Sequence, residues 1–506
     1  MVVKYFKKYQ LVSLLLVLLV VGYLGTRLFH LTNFPIFTDE AIYIRWSQIA
    51  LHDASWRFIS LTDGKQPMYV WIALFTLKLF HDPLFAGRFV SVIAGFFSLI
   101  GITLLGREIF KDTKIGLFAG LIYVLYPFSL MYDRLALYDS LVAMFIIWSL
   151  YFSVLLVRHV RLDIALILGM IIGGGMWTKS SADFGFILLP FSLLLFPFKK
   201  HFDRARLFRW VVFALVAFLL ANAMYNLLRL SPFFYIIGEK NLTFIYSFHD
   251  WIQSPFAYVF GNLKGLISWD VSYLTIPFLV LIPVAFFINK KFIGEKLLLL
   301  VWFIVPFMAL AFFGKVIYPR FTLFMTMPLI VLGAYSLYVL QQYTKNLWLK
   351  VLIILVFLGQ FAYFDYKILF DINNSPLPEA EKNQMITGWA GGTGVKETIA
   401  FLQEKAQNEK IFVGTQGTFG LMPYALEIYL VDNPNIIIKS YWPVNEVPPR
   451  DLIDASKKMP TYVVFYQPCS SCKESGYAPS TWPVKPVFRV RRPLNGSLYT
   501  LYQVMP

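Results

Sequence analysis

LVSLLLVLLVVGYLGTRLFHL, residues Leu11–Leu31, is followed directly by a short loop and the acidic pair Asp39-Glu40. A helix crosses the hydrocarbon core of a bilayer with ~20 consecutive apolar residues, so this run is long enough to span. Lys4-Tyr5-Phe6-Lys7-Lys8 precedes it, and no small-residue cleavage site follows, so it reads as an uncleaved first helix with its basic end in the cytoplasm. Past the span, Asp39-Glu40-Ala41-Ile42-Tyr43 opens an amphipathic stretch that continues to Ala50. A carboxylate held where a lipid-borne substrate meets water is placed for proton abstraction. Thr38-Asp39-Glu40 would serve equally well as a helix cap or as the solvated start of a loop.

The rest of the chain repeats the first span's composition. Apolar residues make up 58% of the 506 and charged ones only 15%. A soluble domain of this size has no use for so much apolar surface, so the fold class is a polytopic α-helical membrane protein. The 50 Phe and 29 Tyr suit lipid-facing and interfacial positions. The formal charge of +16 does not point to nucleic acid, because the basic residues cluster in short loops between apolar spans. There they act as topology signals and as contacts for anionic membrane lipid.

Further apolar runs fall at Phe85–Gly106, Ile115–Met131, Ser140–Val157, Ile164–Trp177, Phe184–Phe198, Trp210–Leu228, Tyr273–Ile288, Leu297–Phe313, Phe321–Leu340 and Leu349–Leu369. Met68–Phe80 is apolar but short, with Lys78 inside it, and reads as interfacial or re-entrant. Leaving it out of the count places the basic clusters Arg107/Lys111/Lys114, Arg158/Arg161, Lys199/Lys200/Arg204/Arg206/Arg209, Lys290/Lys291/Lys296 and Lys345/Lys350 in the cytoplasm. Counting it as a span turns nearly all of them outward. The first arrangement predicts about eleven transmembrane helices in residues 1–370, in the plasma membrane, with the tail 371–506 outside. The tail alternates helix-like runs (Val395–Ala406, Leu421–Leu430) with strand-like ones (Lys410–Val413, Ile436–Lys439, Tyr462–Tyr466, Leu498–Val504). That alternation predicts a small α/β domain. Gly414, Gly417 and Gly420 lack the dinucleotide-binding spacing and read as turn formers. Cys469-Ser470-Ser471-Cys472, the two cysteines of the chain, lie in a polar loop, where a local structural disulfide is the better reading outside the cell.

This topology leaves a few cations facing outward that topogenesis does not require. Lys65, in Gly64-Lys65-Gln66-Pro67-Met68-Tyr69, can reach a lipid phosphate or merely snorkel at an interface. Arg134 and Asp139 bracket Leu135-Ala136-Leu137-Tyr138 between two spans, as an acceptor-orienting pair or a plain polar turn. Lys315 and Arg320 bracket Val316-Ile317-Tyr318-Pro319, and together suggest an anionic headgroup.

Taken in order, these elements resemble the GT-C membrane glycosyltransferases, and among them the superfamily of protein O-mannosyltransferases and lipid A aminoarabinose transferases. The resemblance covers residues 1–345. It rests on Asp39-Glu40 after the first helix, Lys65-Gln66-Pro67-Met68-Tyr69, Ala86-Gly87-Arg88-Phe89, Arg134-Leu135-Ala136-Leu137-Tyr138-Asp139, Trp177-Thr178-Lys179 and Pro319-Arg320-Phe321. It implies transfer of a sugar from a polyprenyl phosphate to a hydroxyl of a protein or glycolipid acceptor, with inversion and without nucleotide. Carried over, Asp39 is the base, Glu40 supports it and Asp139 orients the acceptor. Lys65, Lys315 and Arg320, with Arg134, hold the donor phosphate, and Tyr43, Tyr69 and Lys179 contact substrate. Ile42 stands where many aminoarabinose transferases carry Arg, Gln66 where Pro is usual, and Phe321 where Tyr is common.

No cofactor follows from the sequence. Without a His/Cys cluster a tight transition-metal site is not indicated, and a hard divalent cation held by the carboxylates stays open. The competing reading is a transporter or lipid flippase. Such proteins carry ionisable groups near the bilayer midplane, whereas the spans here are largely free of charge. A membrane anchor that presents the tail would not need so many helices.

Overall fold

In hydrocarbon every backbone N–H must find its partner inside the segment, so the long apolar runs have little choice but to be helices. A computed structural model describes residues 2–198 and 203–506, with side chains described from Gln10 onward at the N-terminus. Lys199 and Lys200, and the side chains of Lys4, Lys7 and Lys8, lie outside the described residues. The described residues form two compact units. One comprises Met1–Phe29, Phe58–Tyr69 and Phe89–Pro378, and the other His30–Arg57, Val70–Arg88 and Glu379–Pro506.

Among the described residues seven helices are long and apolar enough to cross a membrane: Gln10–Leu28, Pro83–Phe110, Asp139–His159, Arg204–Leu230, Ile293–Phe313, Pro319–Gln342 and Leu347–Phe370. Val259–Leu274 and Ile276–Phe287, bent by 96°, make an eighth if the pair is one span. The other four of the eleven expected runs are shorter or broken apolar helices, cut where prolines and glycines fall. Pro127 ends Thr113–Leu125, because the residue before a proline is pushed to extended backbone, as at Tyr126 (φ −78°, ψ 114°). Leu162–Met176 closes on Gly173-Gly174-Gly175, and Ser180–Leu195 is a series of short turns that includes Pro190. The run expected at Tyr273–Ile288 breaks at Thr275, whose φ is +58°, and its first residues belong to a helix that starts back at Val259. Met68–Leu79 has 12 residues, too few to span, as the sequence indicated.

Burial separates these helices. The segment Leu323–Leu337 within Pro319–Gln342 is buried throughout, whereas Gln10–Leu28 and Leu347–Phe370 are largely exposed, as suits helices facing lipid. A second apolar cluster (Leu156, Leu168, Ile172, Trp210, Ala217 and neighbours) packs Asp139–His159, Leu162–Met176 and Arg204–Asn226 together.

The other unit carries a five-stranded sheet: β1 Ile411–Gln416, β2 Ile436–Tyr441, β3 Thr461–Phe465, β4 Val484–Arg491 and β5 Leu498–Val504, in the order β2-β1-β3-β5-β4. β1 runs parallel to β2 (Ile411 opposite Ile436) and to β3 (Phe412 opposite Thr461). β5 is antiparallel to both β3 and β4. β1 and β3 are buried on both faces, as central parallel strands are. Four strands and the helices Val395–Lys405 and Leu421–Leu430 lie where the sequence placed them. β4 and the helix Arg450–Ser456 were not anticipated. Gly417 (φ +97°) and Gly420 (φ +114°) form turns, but Gly414 lies inside β1, which corrects its reading as a turn former. Cys469 and Cys472 are disulfide-bonded against the core of this domain.

Candidate functional site

The sequence-predicted site residues fall into two groups, one in each unit. Asp39, Glu40 and Tyr43 belong with the tail domain. They lie on the first turns of Thr38–His52, where acidic side chains complement the helix dipole. Glu40 is buried and fully engaged. Its Oε1 accepts from Arg88 Nε (2.8 Å), and its Oε2 from Arg88 Nη2 (2.7 Å) and the Phe37 N–H (2.9 Å). The same guanidinium donates to the carbonyls of Leu31 (2.8 Å), Phe34 (2.9 Å) and Pro35 (3.2 Å). One arginine thus pins the whole approach to the helix. Asp39 is half-buried and Tyr43 buried, with Tyr43 packing on Trp46 at 5.8 Å.

Backbone from the tail grips the same turn. The N–H and hydroxyl of Thr38 both donate to the Ala390 carbonyl (3.1 and 2.9 Å), and Phe37 forms an antiparallel bridge with Gly391. Farther along the helix, Arg45 pairs with Glu427 at 2.7 Å and Gln48 donates to the Ile428 carbonyl.

In the first unit the turn Trp177–Ser180 gathers several of the remaining residues. Lys179 Nζ pairs with Asp139 Oδ1 at 3.0 Å and lies 4.3 Å from the centroid of Phe321, the neighbour of Arg320. The Trp177 carbonyl accepts the Met68 N–H (3.0 Å), and the Ser180 hydroxyl accepts from the Gln66 amide (2.9 Å). The Lys65 stretch, Asp139, Lys179 and the Arg320 turn are therefore brought together through one tight turn. Tyr69 packs against Tyr138, the ring centroids 5.2 Å apart and the rings tilted by 38°. Arg320 is buried, with Tyr318 5.1 Å from its guanidinium carbon. Lys315 is exposed, and its N–H is tied to the Phe244 carbonyl (2.8 Å). Arg134 is buried at the end of the first helix, where its Nη1 donates to the Thr26 (2.6 Å) and Arg27 (3.2 Å) carbonyls.

Sequence reasoning passed over three residues here. Asp133 is buried, pairs with Arg27 (3.5 Å) and accepts from Ser140 (2.9 Å) and Tyr123 (3.1 Å). Burial pushes its carboxyl up to about 6, against the opposing pull of Arg27. Asp270 accepts from Thr322 (2.7 Å) and so ties Val259–Leu274 to the turn that carries Arg320. Arg88 had a signal in the sequence, the Ala86-Gly87-Arg88-Phe89 motif, but nothing local named its partner. Among the described residues no three His, Cys, Asp or Glu side chains converge as a metal site.

Residues 64–228 match the family model described as dolichyl-phosphate-mannose-protein mannosyltransferase. No curated protein sequence matches the chain. Among solved structures, ArnT from Cupriavidus metallidurans, in its apo state and bound to undecaprenyl phosphate, superposes with a TM-score of 0.61 at 14% identity, covering 98% of each chain. The archaeal oligosaccharyltransferase AglB from Archaeoglobus fulgidus, solved with an inhibitory peptide and a dolichol-phosphate, reaches 0.55 at 15% identity, over 91% of this chain and 70% of that one. The fold is that of the GT-C membrane glycosyltransferases, and the resemblance read from the sequence is borne out.

Proposed function

We propose that this GT-C chain transfers a hexosyl or pentosyl group from a polyprenyl-phosphate donor to a hydroxyl of a protein or glycolipid acceptor. The likeness to structures solved with undecaprenyl phosphate and with a dolichol-phosphate supports the donor class. The observation that carries the catalytic assignment is the placement of Asp39: it is half-buried in the first turn of Thr38–His52, a turn that Glu40 anchors through Arg88 and the Phe37 N–H. Asp39 takes the proton of the acceptor hydroxyl as its oxygen attacks the anomeric carbon from the side opposite the phosphate. The glycosidic bond forms, the sugar–phosphate bond breaks with its electrons, and the anomeric configuration inverts.

Lys65, Lys315 and Arg320, with Arg134, stabilise the charge left on the lipid phosphate, an electrostatic role that strengthens where water is scarce. Asp139, held by Lys179, orients the acceptor, and Tyr43 and Tyr69 line the substrate's path. In this reading the enzyme lies in the plasma membrane with its N-terminus cytoplasmic and residues 371–506 extracytoplasmic. Residues 1–370 form the catalytic part. The transporter reading is not favoured. The buried charges Arg27 and Asp365 stand near the ends of their helices, not at mid-span.

The test is sugar release from a panel of radiolabelled polyprenyl-phosphate sugars by wild type and by Asp39→Asn. One donor should turn over, and the variant should lose about 100-fold or more. No turnover of any donor, with native membranes as the acceptor source, would overturn the proposal and move the transporter reading ahead.

A further inference from the structure

Arg492 is 1% exposed, in the link between β4 and β5, far along the chain from every catalytic candidate. Burial lowers its pKa only to about 10, so it is a cation at neutral pH. Its guanidinium donates to the Gly391 carbonyl through Nε (2.9 Å), to the Trp389 carbonyl through Nη2 (3.3 Å), and to the Ser497 hydroxyl (2.9 Å) and Leu498 carbonyl (3.2 Å) through Nη1. Trp389 and Gly391 are two residues apart, and between them lies Ala390. Trp389 and Ala390 sit in a turn closed by the Gly391 N–H on the Gly388 carbonyl (3.2 Å), and by binding the carbonyls of 389 and 391 Arg492 fixes this turn on both sides of Ala390. The Ala390 carbonyl is the one that holds both the N–H and the hydroxyl of Thr38, the residue before Asp39. The approach is close enough to require glycine: a Cβ on Gly392 would lie 2.3 Å from the Ile36 carbonyl oxygen.

We infer that Arg492 is a positioning residue for Asp39, acting through the Trp389–Gly392 segment, and that this glycine-rich stretch lets the tail set the aim of the base. The inference rests on the reading of Asp39 as the base. Arg88 and Glu40 fix the loop before the helix from one side, and Arg492 and Ala390 fix Thr38 from the other. All of these contacts lie within one compact unit. Neither arginine touches substrate. Their effect is on the direction in which the Asp39 carboxylate points, and a misplacement of about 1 Å costs roughly 100-fold in rate.

The test uses the full-length protein and three variants, Arg492→Lys, Arg492→Met and Thr38→Val. Thr38→Val leaves Arg492 and its four partners in place, so it reports on the clamp even if loss of Arg492 prevents folding. Amide hydrogen exchange over residues 33–43 needs no donor. It should rise about tenfold in each variant that folds, the size of one net hydrogen bond. With the donor identified above, kcat should fall 10–100-fold while the donor KM stays within about twofold. Unchanged exchange in Thr38→Val and Arg492→Met overturns the inference. So does faster exchange with unchanged kcat. Asp39→Asn separates the two readings: if that variant keeps full turnover, Asp39 is not the base, and faster exchange in the clamp variants then shows a clamp on the loop alone.

Discussion

Glu40→Gln should loosen the loop that leads to Asp39, by an amount that follows from the geometry of its partner. Glu40 and Arg88 are each 0% exposed and meet through two contacts of 2.8 and 2.7 Å. Replacing the carboxylate by an amide leaves a buried guanidinium without its counter-charge, which costs about 3–5 kcal/mol in such settings. Gln keeps the volume and one acceptor for the Phe37 N–H, so the lower end applies, ~3 kcal/mol. At about 1.4 kcal/mol per factor of ten, local opening of residues 31–42 should become roughly 100-fold more frequent. Hydrogen exchange of the purified protein in detergent reads this directly, at the Phe37 N–H bound to Glu40 and the Ala41 N–H bound to the Phe37 carbonyl. Arg88→Lys should act in the same direction, since a compact ammonium cannot serve two carboxylate oxygens and three carbonyls at once. A change below about threefold in both variants would refute the reasoning, because the pair would then contribute no more than an exposed one.

Two further outcomes are expected. Lys179→Met should leave Asp139 without its 3.0 Å partner and lower kcat/KM by about 10–100-fold; the double variant with Asp139→Asn should lose less than the sum, and full additivity would show the pair to be uncoupled. Asp133 has its carboxyl raised to about 6 when folded, so the folded state holds its proton more tightly than the unfolded state does. Its contribution is complete below about pH 4 and is lost as pH rises through 6, a change of ~3 kcal/mol. Thermal unfolding of wild type against Asp133→Asn from pH 4 to 7 should show wild type losing stability relative to the variant, and parallel curves would contradict it.

Much of the candidate site was legible because its signals are local. Asp39-Glu40 follows an apolar run, Lys65 precedes a short one and Arg320 sits at a turn between long ones, so position and charge marked them as candidates, while their roles and Lys179 came through the resemblance. β4 carried a signal that went unread: Val484, Val487, Phe488 and Val490 are interspersed with Lys485, Arg489 and Arg491, but Pro486 argues against a strand. The structure accommodates that proline at an edge strand, with an irregular register between Pro486 and Phe488. Where the expected runs are shorter or broken, the cause was not legible, because an apolar run states its composition and not where a proline or a positive-φ residue will cut it.

Legible in the sequence were the membrane class, the shortness of Met68–Leu79, the α/β tail and the order of motifs that resembles the GT-C fold. Hydrophobic runs and periodicity act between neighbours in the chain, and each segment reports them on its own. The partners that hold Glu40, Thr38 and the Trp389–Gly391 turn came from the folded chain alone. Arg88 lies 48 residues from Glu40, Ala390 lies 352 from Thr38, and Arg492 lies 101 from Gly391. Such partners satisfy buried charges and carbonyls whose needs are fixed by burial, and burial exists only once the chain has folded.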